Sequence, residues 1–315
     1  MSGGLLCIGL TTVDLLARSI DKIPLTENVE LIDRIALAPA GTAGGTALVA
    51  GRLGVPTRLC SVVGDDPAGK IARLVYEEHG VDLSLLDTAV GMPTSTTLIC
   101  INSAGQRPRF HMRGASVTVQ VTEAALAAAR SAKYVHYAAI GAPQLDGGAG
   151  AALAATARNA GATVTCDLTS PRPNALEELQ RVLPFVNFFM PNAEEALHLS
   201  DRETVEEAGQ FFRDLGAVNC VIKDGARGSV LVTAEGSTRV AAHVIEPLDT
   251  TSCGDSYCAG FIAALVRGRS VLEACRFGSA VAALVASGLG TLGLLQGFDH
   301  ADNFRKTTPL RELVS

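Results

Sequence analysis

From about residue 132 the chain alternates short β-branched, apolar runs with stretches rich in Ala, Leu and Glu. "YVHYAAIG", "ATVTCDL", "VNFFMP" and "VNCVIKDG" are separated by helical patterns. That alternation predicts βα units and a mostly parallel sheet covered by helices on both faces, because a parallel crossover needs a dozen or more residues and a helix supplies them compactly. Ligands of such sheets meet the carboxyl ends of the strands. The polar residues just after each run are therefore the ones to watch: Asp167 after "TVTC", Asn192 after "FFMP" and Gly225 after "VIKD".

The N-terminal third reads differently. Segments 11–37 and 94–113 are β-branched and partly alternating, the second folded on itself by the turn-like "NSAGQ", which predicts a small antiparallel sheet projecting from the main one. Between them lie a glycine-rich turn entering a small-residue helix ("GTAGGTALVAGRLG"), a strand ("TRLCSVVG") and a helix opened by Pro and closed by Gly ("PAGKIARLVYEEHG"). The polar end, "DHADNFRKTTPLRELVS", reads as a surface tail.

A net charge of −6 without any Lys/Arg-rich run argues against a nucleic-acid partner, since phosphate backbones are held by clustered positive charge. No apolar stretch reaches the roughly 20 residues that span a bilayer. The start lacks a basic n-region and reads as a buried first strand. Eight scattered cysteines form no CxxC pair and read as small buried hydrophobes in a cytoplasmic protein.

Two textual motifs fail on context. "GDDPAGKI" has Ile71 where a P-loop needs Ser/Thr, and its two aspartates would face phosphate with negative charge. "GLGTLG" follows a helical stretch near the C-terminus instead of a first strand. "DTTSCGDSYCAGF", residues 249–261, behaves otherwise. After the β-like "VAAHVIEPLD" the backbone turns at Ser252-Cys253-Gly254 into an apolar helix, so unpaired N–H groups and the positive end of a helix dipole gather there as an anion site. Asp255 at or near the N-cap either caps this helix or takes a proton from a hydroxyl attacking a phosphate.

Together these stretches resemble the ribokinase-like (PfkB) family of carbohydrate and nucleoside kinases. "DTTSCGD" is similar to its Asp-Thr-x-Gly-Ala-Gly-Asp motif, "GLTTVDLL" to its first strand ending in a substrate-binding Asp, here Asp14, and "PAGTAGGTALVAGRLG" to its N-terminal glycine signature. "VVGDDPAG" is similar to its Gly-x-Asp-x-x-Gly turn, "MPNAEEA" to its Asn-x-x-Glu motif, and "VIKDGARGSVL" to the glycine turn near the nucleotide. The resemblance covers residues 4–295. It implies one three-layer α/β kinase domain over 1–315, with the projecting sheet as a discontinuous β lid.

The resemblance further implies a phosphotransferase using magnesium ATP. Asp255 would be the base, the amides of Ser252, Cys253 and Gly254 the hole for the transferring phosphoryl group, and Asp14, Thr42, Gly44 and Gly45 the substrate's partners. Asn192 and Glu195 would organise magnesium through water, although Asn and Glu at i and i+3 also suit an ordinary capping box. Lys223, Gly225 and Gly228 would line the nucleotide, and Asp249 and Thr251 would hold a monovalent cation such as K+. Arg109 and Arg113 on the lid would meet an anionic group of the substrate or lie in solvent.

The departures are Ser252 and Cys253 in place of the motif's Gly and Ala, and Thr42 and Gly45 in place of the Lys and Asn of true ribokinases. A sugar or sugar acid is the expected acceptor, a ribonucleoside the alternative, and a non-catalytic sugar sensor the reading from another class. The lid strands permit a homodimer.

Overall fold

The computed structural model describes residues 4–169 and 173–313. Strand β1 (Leu5–Gly9) lies in the main sheet, while β2 (Thr12–Arg18) and β3 (Arg34–Ala40) belong to a second, smaller one. The chain returns through α1 (Thr42–Arg52), β4 (Thr57–Gly64), α2 (Pro67–Glu78) and β5 (Val81–Ala89), then completes the small sheet with β6 (Thr96–Ile101) and β7 (Arg109–Met112). The βα succession follows: α3 (Glu123–Ser131), β8 (Tyr134–Ile140), α4 (Ala149–Asn159), β9 (Thr163–Leu168), α5 (Ala175–Val182), β10 (Phe188–Phe189), α6 (Ala193–Ser200), α7 (Val205–Asp214) and β11 (Asn219–Lys223). Strands β12 (Ser229–Thr233) and β13 (Gly236–Val240) precede helices α8 (Cys253–Val266), α9 (Val271–Ala286) and α10 (Phe298–Thr307).

The main sheet has nine strands in the order β13-β12-β11-β10-β9-β8-β1-β4-β5. From β11 to β5 every pairing is parallel, and β12 and β13 add an antiparallel edge. Alternate residues of one strand feed opposite cores: Leu5 and Cys7 of β1 join Leu48, Phe261 and Phe277, while Leu6 and Ile8 join Leu153, Leu179 and Phe212. Burial on both faces is why the strands read as continuous apolar runs.

The small sheet, in the order β3-β2-β6-β7, is antiparallel at β2–β3 and β6–β7, whereas β2 and β6, from distant parts of the chain, run parallel. Register puts Asp14, Thr97 and His111 in one row, with Leu16, Ile99 and Arg109 beside it on the same face. The opposite face carries the apolar row Leu37, Leu15, Leu98 and Phe110.

Three sequence expectations are corrected. "GLTTVDLL" is two strands: the chain breaks at Leu10–Thr11 after Gly9, whose φ of +152° and close approach to the Ala138 carbonyl leave no room for a Cβ, so Asp14 sits in the small sheet instead of ending the first strand. "VAAHVIEPLD" is not a strand beyond Val240. The polar end is no loose tail: Phe298 and Ala301 bury one side of α10, and the segment after it docks on residues 242–244. Arg311 N–H donates to Ala242 O (2.8 Å) and Val244 N–H to Pro309 O (2.9 Å). Residues 314 and 315 lie outside the described residues.

The packing of α8 on α9 fixes where the first turn of α8 points. A Cβ on Gly260 would lie 2.9 Å from Val281 and 3.0 Å from the Gly278 Cα. Gly260→Val is therefore expected to lower the unfolding free energy by about 1–3 kcal/mol, read from the urea midpoint. An unchanged midpoint would mean that the helices separate freely.

Candidate active site

Helix α8 begins at Cys253, and Ser252 caps it in the left-handed region (φ +57°) without a side-chain cap bond. Asp255, expected at or near the N-cap, is thus the third residue of the first turn, with Ser252 as the cap. A left-handed serine costs about 1 kcal/mol that glycine would avoid, and the reward is geometric: the turn leaves the helix end open. The first full helical bond runs from Ser256 N–H to Ser252 O (2.8 Å), and Cys253 N–H makes only a 3.5 Å contact with Thr250 O. Burial pushes the Cys253 thiol up to about 12, so this helix end carries no thiolate.

A cavity of about 470 Å³ opens at the carboxyl ends of β9 and β11, in the size range of small-molecule sites. Asp167, Asn192, Glu195, Lys223 and the 252–255 turn line one end. Apolar groups of Ile245, Pro247, Ala282, Ala283 and Ala286 also line it, beside the polar His243, Thr250, Tyr257 and Ser279, and Arg311 reaches its wall from the docked C-terminal segment. The glycine turn of "KDGARG" bends through Gly225 (φ +55°) and Gly228 (φ +92°), and a Cβ on Gly228 would strike the Val240 carbonyl at 1.9 Å.

One ion pair stands in the cavity wall. Lys223 Nζ donates to Asp167 Oδ2 at 2.5 Å, and Cys258 Sγ lies 3.5 Å from the same oxygen. Burial alone would lower the Lys223 pKa, but Asp167, Cys258 and Glu195 outweigh it and hold the ammonium charged. A Cβ on Gly254 would stand 3.4 Å from Lys223 Nζ, so the ammonium borders the open helix end. Burial raises the Asp255 pKa well above the ordinary carboxyl range; Asp167, Asp14 and Glu195 push the same way and Lys223 opposes. Glu195 rises to about 7 through burial and the nearby Asp167 charge.

Asn192 and Glu195 form a complete capping box on α6: Glu195 N–H donates to Asn192 Oδ1 (2.8 Å) and Asn192 N–H to Glu195 Oε2 (3.0 Å). The capping alternative raised by the sequence is thus realised, and both residues also line the cavity.

On the other side of Asp255 stands the first turn of α1. A Cβ on Gly45 would approach Asp255 Oδ2 to 3.1 Å, so Gly45 keeps the carboxylate accessible. Gly44 faces elsewhere, against the Tyr76 hydroxyl and Thr11. The Thr42 hydroxyl is taken by the Ala138 carbonyl (2.5 Å). Asp14 is buried, accepts a bond from the Thr12 hydroxyl (3.0 Å), and is raised by burial against the opposing hydrogen bonds of Thr97 and Thr12 and the neighbouring His111. Arg109 shares its face, and Arg109 and Arg113 are exposed.

The fold therefore gathers Ser252 to Asp255, Asn192, Glu195, Lys223, Gly225 and Gly228 around one cavity, with Gly45 and Asp14 on the far side of Asp255. Asp249 and Thr251 lie behind the turn. Asp249 accepts N–H bonds from Thr251 (2.9 Å) and Gly290 (3.0 Å). Sequence reading assigned no role to Asp167, although its place at the end of the β9 run was the signal. Nor did it single out Arg107, whose contact with this loop spans the chain from 107 to 251 and leaves no local trace.

The pfkB family carbohydrate kinase description matches residues 3–295, and the chain belongs to that family. It is similar to the aminoimidazole riboside kinase of Salmonella typhimurium (24% identical, over 94% of this chain and 95% of the other). It is also similar to a nucleoside kinase of Methanothermobacter thermautotrophicus (28% identical, over 91% of this chain and 90% of the other). In structure it is similar to Arabidopsis thaliana ribokinase complexed with ribose and ATP, with a TM-score of 0.82 at 22% identity over 97% of this chain and 99% of that one. A provisionally named ribokinase II from Escherichia coli, in complex with ATP and Mg2+, gives 0.84 at 21% identity over 96% and 99%. At these identities the structural likeness speaks for the fold.

A carboxyl whose proton is held more tightly in the folded state weakens the fold once pH rises above its unfolded value, and the loss is complete above the folded value. Asp255→Asn is accordingly expected to raise stability near neutral pH by about 1–2 kcal/mol, with the gain vanishing below the ordinary carboxyl range. Thermal unfolding across pH 4–8 measures it; equal stability of both proteins at neutral pH would contradict the electrostatic account.

Proposed function

We propose that this chain transfers a phosphoryl group from magnesium ATP to a hydroxyl of a sugar or sugar derivative, with Asp255 as the general base. The observation that carries the reading is the position of Asp255: a half-buried carboxylate on the first turn of α8, between the lined cavity and the glycine turn of α1.

The residues suit the donor. The apolar wall fits a base, while Lys223 and the open end of α8 fit phosphate charge. Among the described residues no group of three acidic, His or Cys side chains forms a metal cage. That suits magnesium, which keeps several waters and takes ligands from one or two carboxylates and substrate phosphates; Asn192 and Glu195 would hold it. When bound, magnesium ATP supplies the phosphoryl group and a cation that screens its charge.

The acceptor hydroxyl would lie against Asp255 Oδ, with Asp14 and Gly45 on its side. Asp255 takes the hydroxyl proton as the oxygen bonds to phosphorus and the bond to the departing ADP breaks. The amides of Ser252 to Gly254 and the Lys223 ammonium stabilise the charge on the moving group. A ribonucleoside acceptor is the second reading, favoured by the names of the two relatives that match over nine tenths of this chain. The eight cysteines, all free thiols, suit the reducing cytoplasm.

ATP consumption against ketoses, aldoses, sugar acids and ribonucleosides tests the proposal. Turnover on a sugar supports it, turnover on nucleosides alone favours the second reading, and Asp255→Asn should cost about 10²–10⁴-fold in kcat. A fully active variant would remove Asp255 from the chemistry. Because Asp255 must be ionised to act, kcat/KM should climb as pH rises through its raised pKa. Lys223→Gln removes a charge that opposes that rise, so the acidic limb should move to higher pH.

We also propose a homodimer through the outer face of the lid, where Leu37 and Phe110 are 54% and 64% exposed although they share one apolar row. Sedimentation should show a dimer that Phe110→Glu converts to monomer. A wild-type monomer at micromolar concentration would refute it.

A further inference from the structure

The Asp249 side chain is fully buried at the start of the loop that forms the open helix end. Its oxygens accept N–H bonds from Thr251 and Gly290, and a buried carboxylate also calls for a positive partner. The cation that approaches it comes from the small sheet. Arg107, in the turn between β6 and β7, places Nη1 3.4 Å from Thr251 Oγ1 and 3.7 Å from Asp249 Oδ1. Its guanidinium therefore occupies the approach to the two residues to which the family resemblance assigned a monovalent cation. A potassium ion bound there would face a like charge at close range, so these residues do not fit that ion while Arg107 is in place.

We propose that Arg107 is a positioning residue: it supplies from the lid the charge that steadies residues 249–254, and phosphoryl transfer by this chain needs no monovalent cation. The inference rests on the kinase reading above. It follows from two features of the loop. Ser252 holds a left-handed backbone that a relaxed loop would abandon, and Asp249, three residues earlier, is where Arg107 grips. Arg107 touches neither the cavity nor Asp255, so its effect is on the order of the amides and not on the proton transfer.

The test compares wild type, Arg107→Ala and Arg107→Lys with magnesium ATP and the acceptor found by the panel, in potassium, sodium and choline chloride at equal ionic strength. Wild-type kcat should agree within about twofold across the three salts. Arg107→Ala should lose about 10–100-fold in kcat in choline with a small change in KM for ATP, and potassium should restore at least tenfold, because the vacated site then accepts an ion. Arg107→Lys should retain part of the rate in choline. Hydrogen exchange of residues 249–255 supplies a readout apart from turnover: Arg107→Ala should speed it in choline, and potassium should slow it again.

Wild type activated more than fivefold by potassium would overturn the proposal, as would an Arg107→Ala enzyme with unchanged kcat and exchange. Absence of phosphoryl transfer by wild type in every salt would instead overturn the kinase reading, and the exchange experiment would still decide whether Arg107 braces the loop.

Discussion

The site depends on one ion pair. Lys223 at the end of β11 and Asp167 at the end of β9 meet at 2.5 Å, and around them the fold brings Asp255, Glu195 and, farther off, Asp14. Such a concentration of carboxylates beside one cavity would repel itself without a fixed cation. Lys223 is held charged because its acidic neighbours outweigh its burial, so the cation is a product of the same crowding that it relieves. The pair needs two strands in parallel register, separated only by the two-residue β10, and this explains why so short a strand matters.

Much of this architecture was legible because its causes are local. The parallel strands announce themselves as apolar runs, since both faces are buried, and the start of α8 announces itself by small residues before a helical pattern. The rejection of the P-loop reading was legible from Ile71 and the two aspartates, whereas the cap itself was not: Asp66 caps α2 and accepts bonds from Gly69 and Thr94, so the Gly-x-Asp-x-x-Gly turn is a structural knot.

What escaped the sequence was set by tertiary contact. Nothing in "VAAHVIEPLD" says that its middle pairs with Leu310 of the chain's end instead of continuing β13. Nothing in the glycine signature separates Gly45, which faces Asp255, from Gly44, which faces Tyr76. The break between β1 and β2 is set by the approach of Gly9 to Ala138, a residue of another strand. Asp249 was visible, but its partner in "NSAGQRPRF" was not.

The small sheet joins the body at four places, near Thr11, Gly41, Ser95 and Gly114, and three of these are stitched together: Gly114 N–H donates to the Ser95 hydroxyl (3.0 Å), and Val13 N–H to Ser95 O (2.9 Å). All four lie at the same end of the sheet, so the panel is fastened along one edge, swings as one plate and cannot peel strand by strand. Under the proposed lid role, Asp14 on its inner face and Arg107 at its tip would travel in the same stroke. Capture of the acceptor and tightening of the phosphate loop would then be timed by one mechanical event, and an enzyme holding no acceptor would keep its phosphate hole slack, which limits the waste of donor on water.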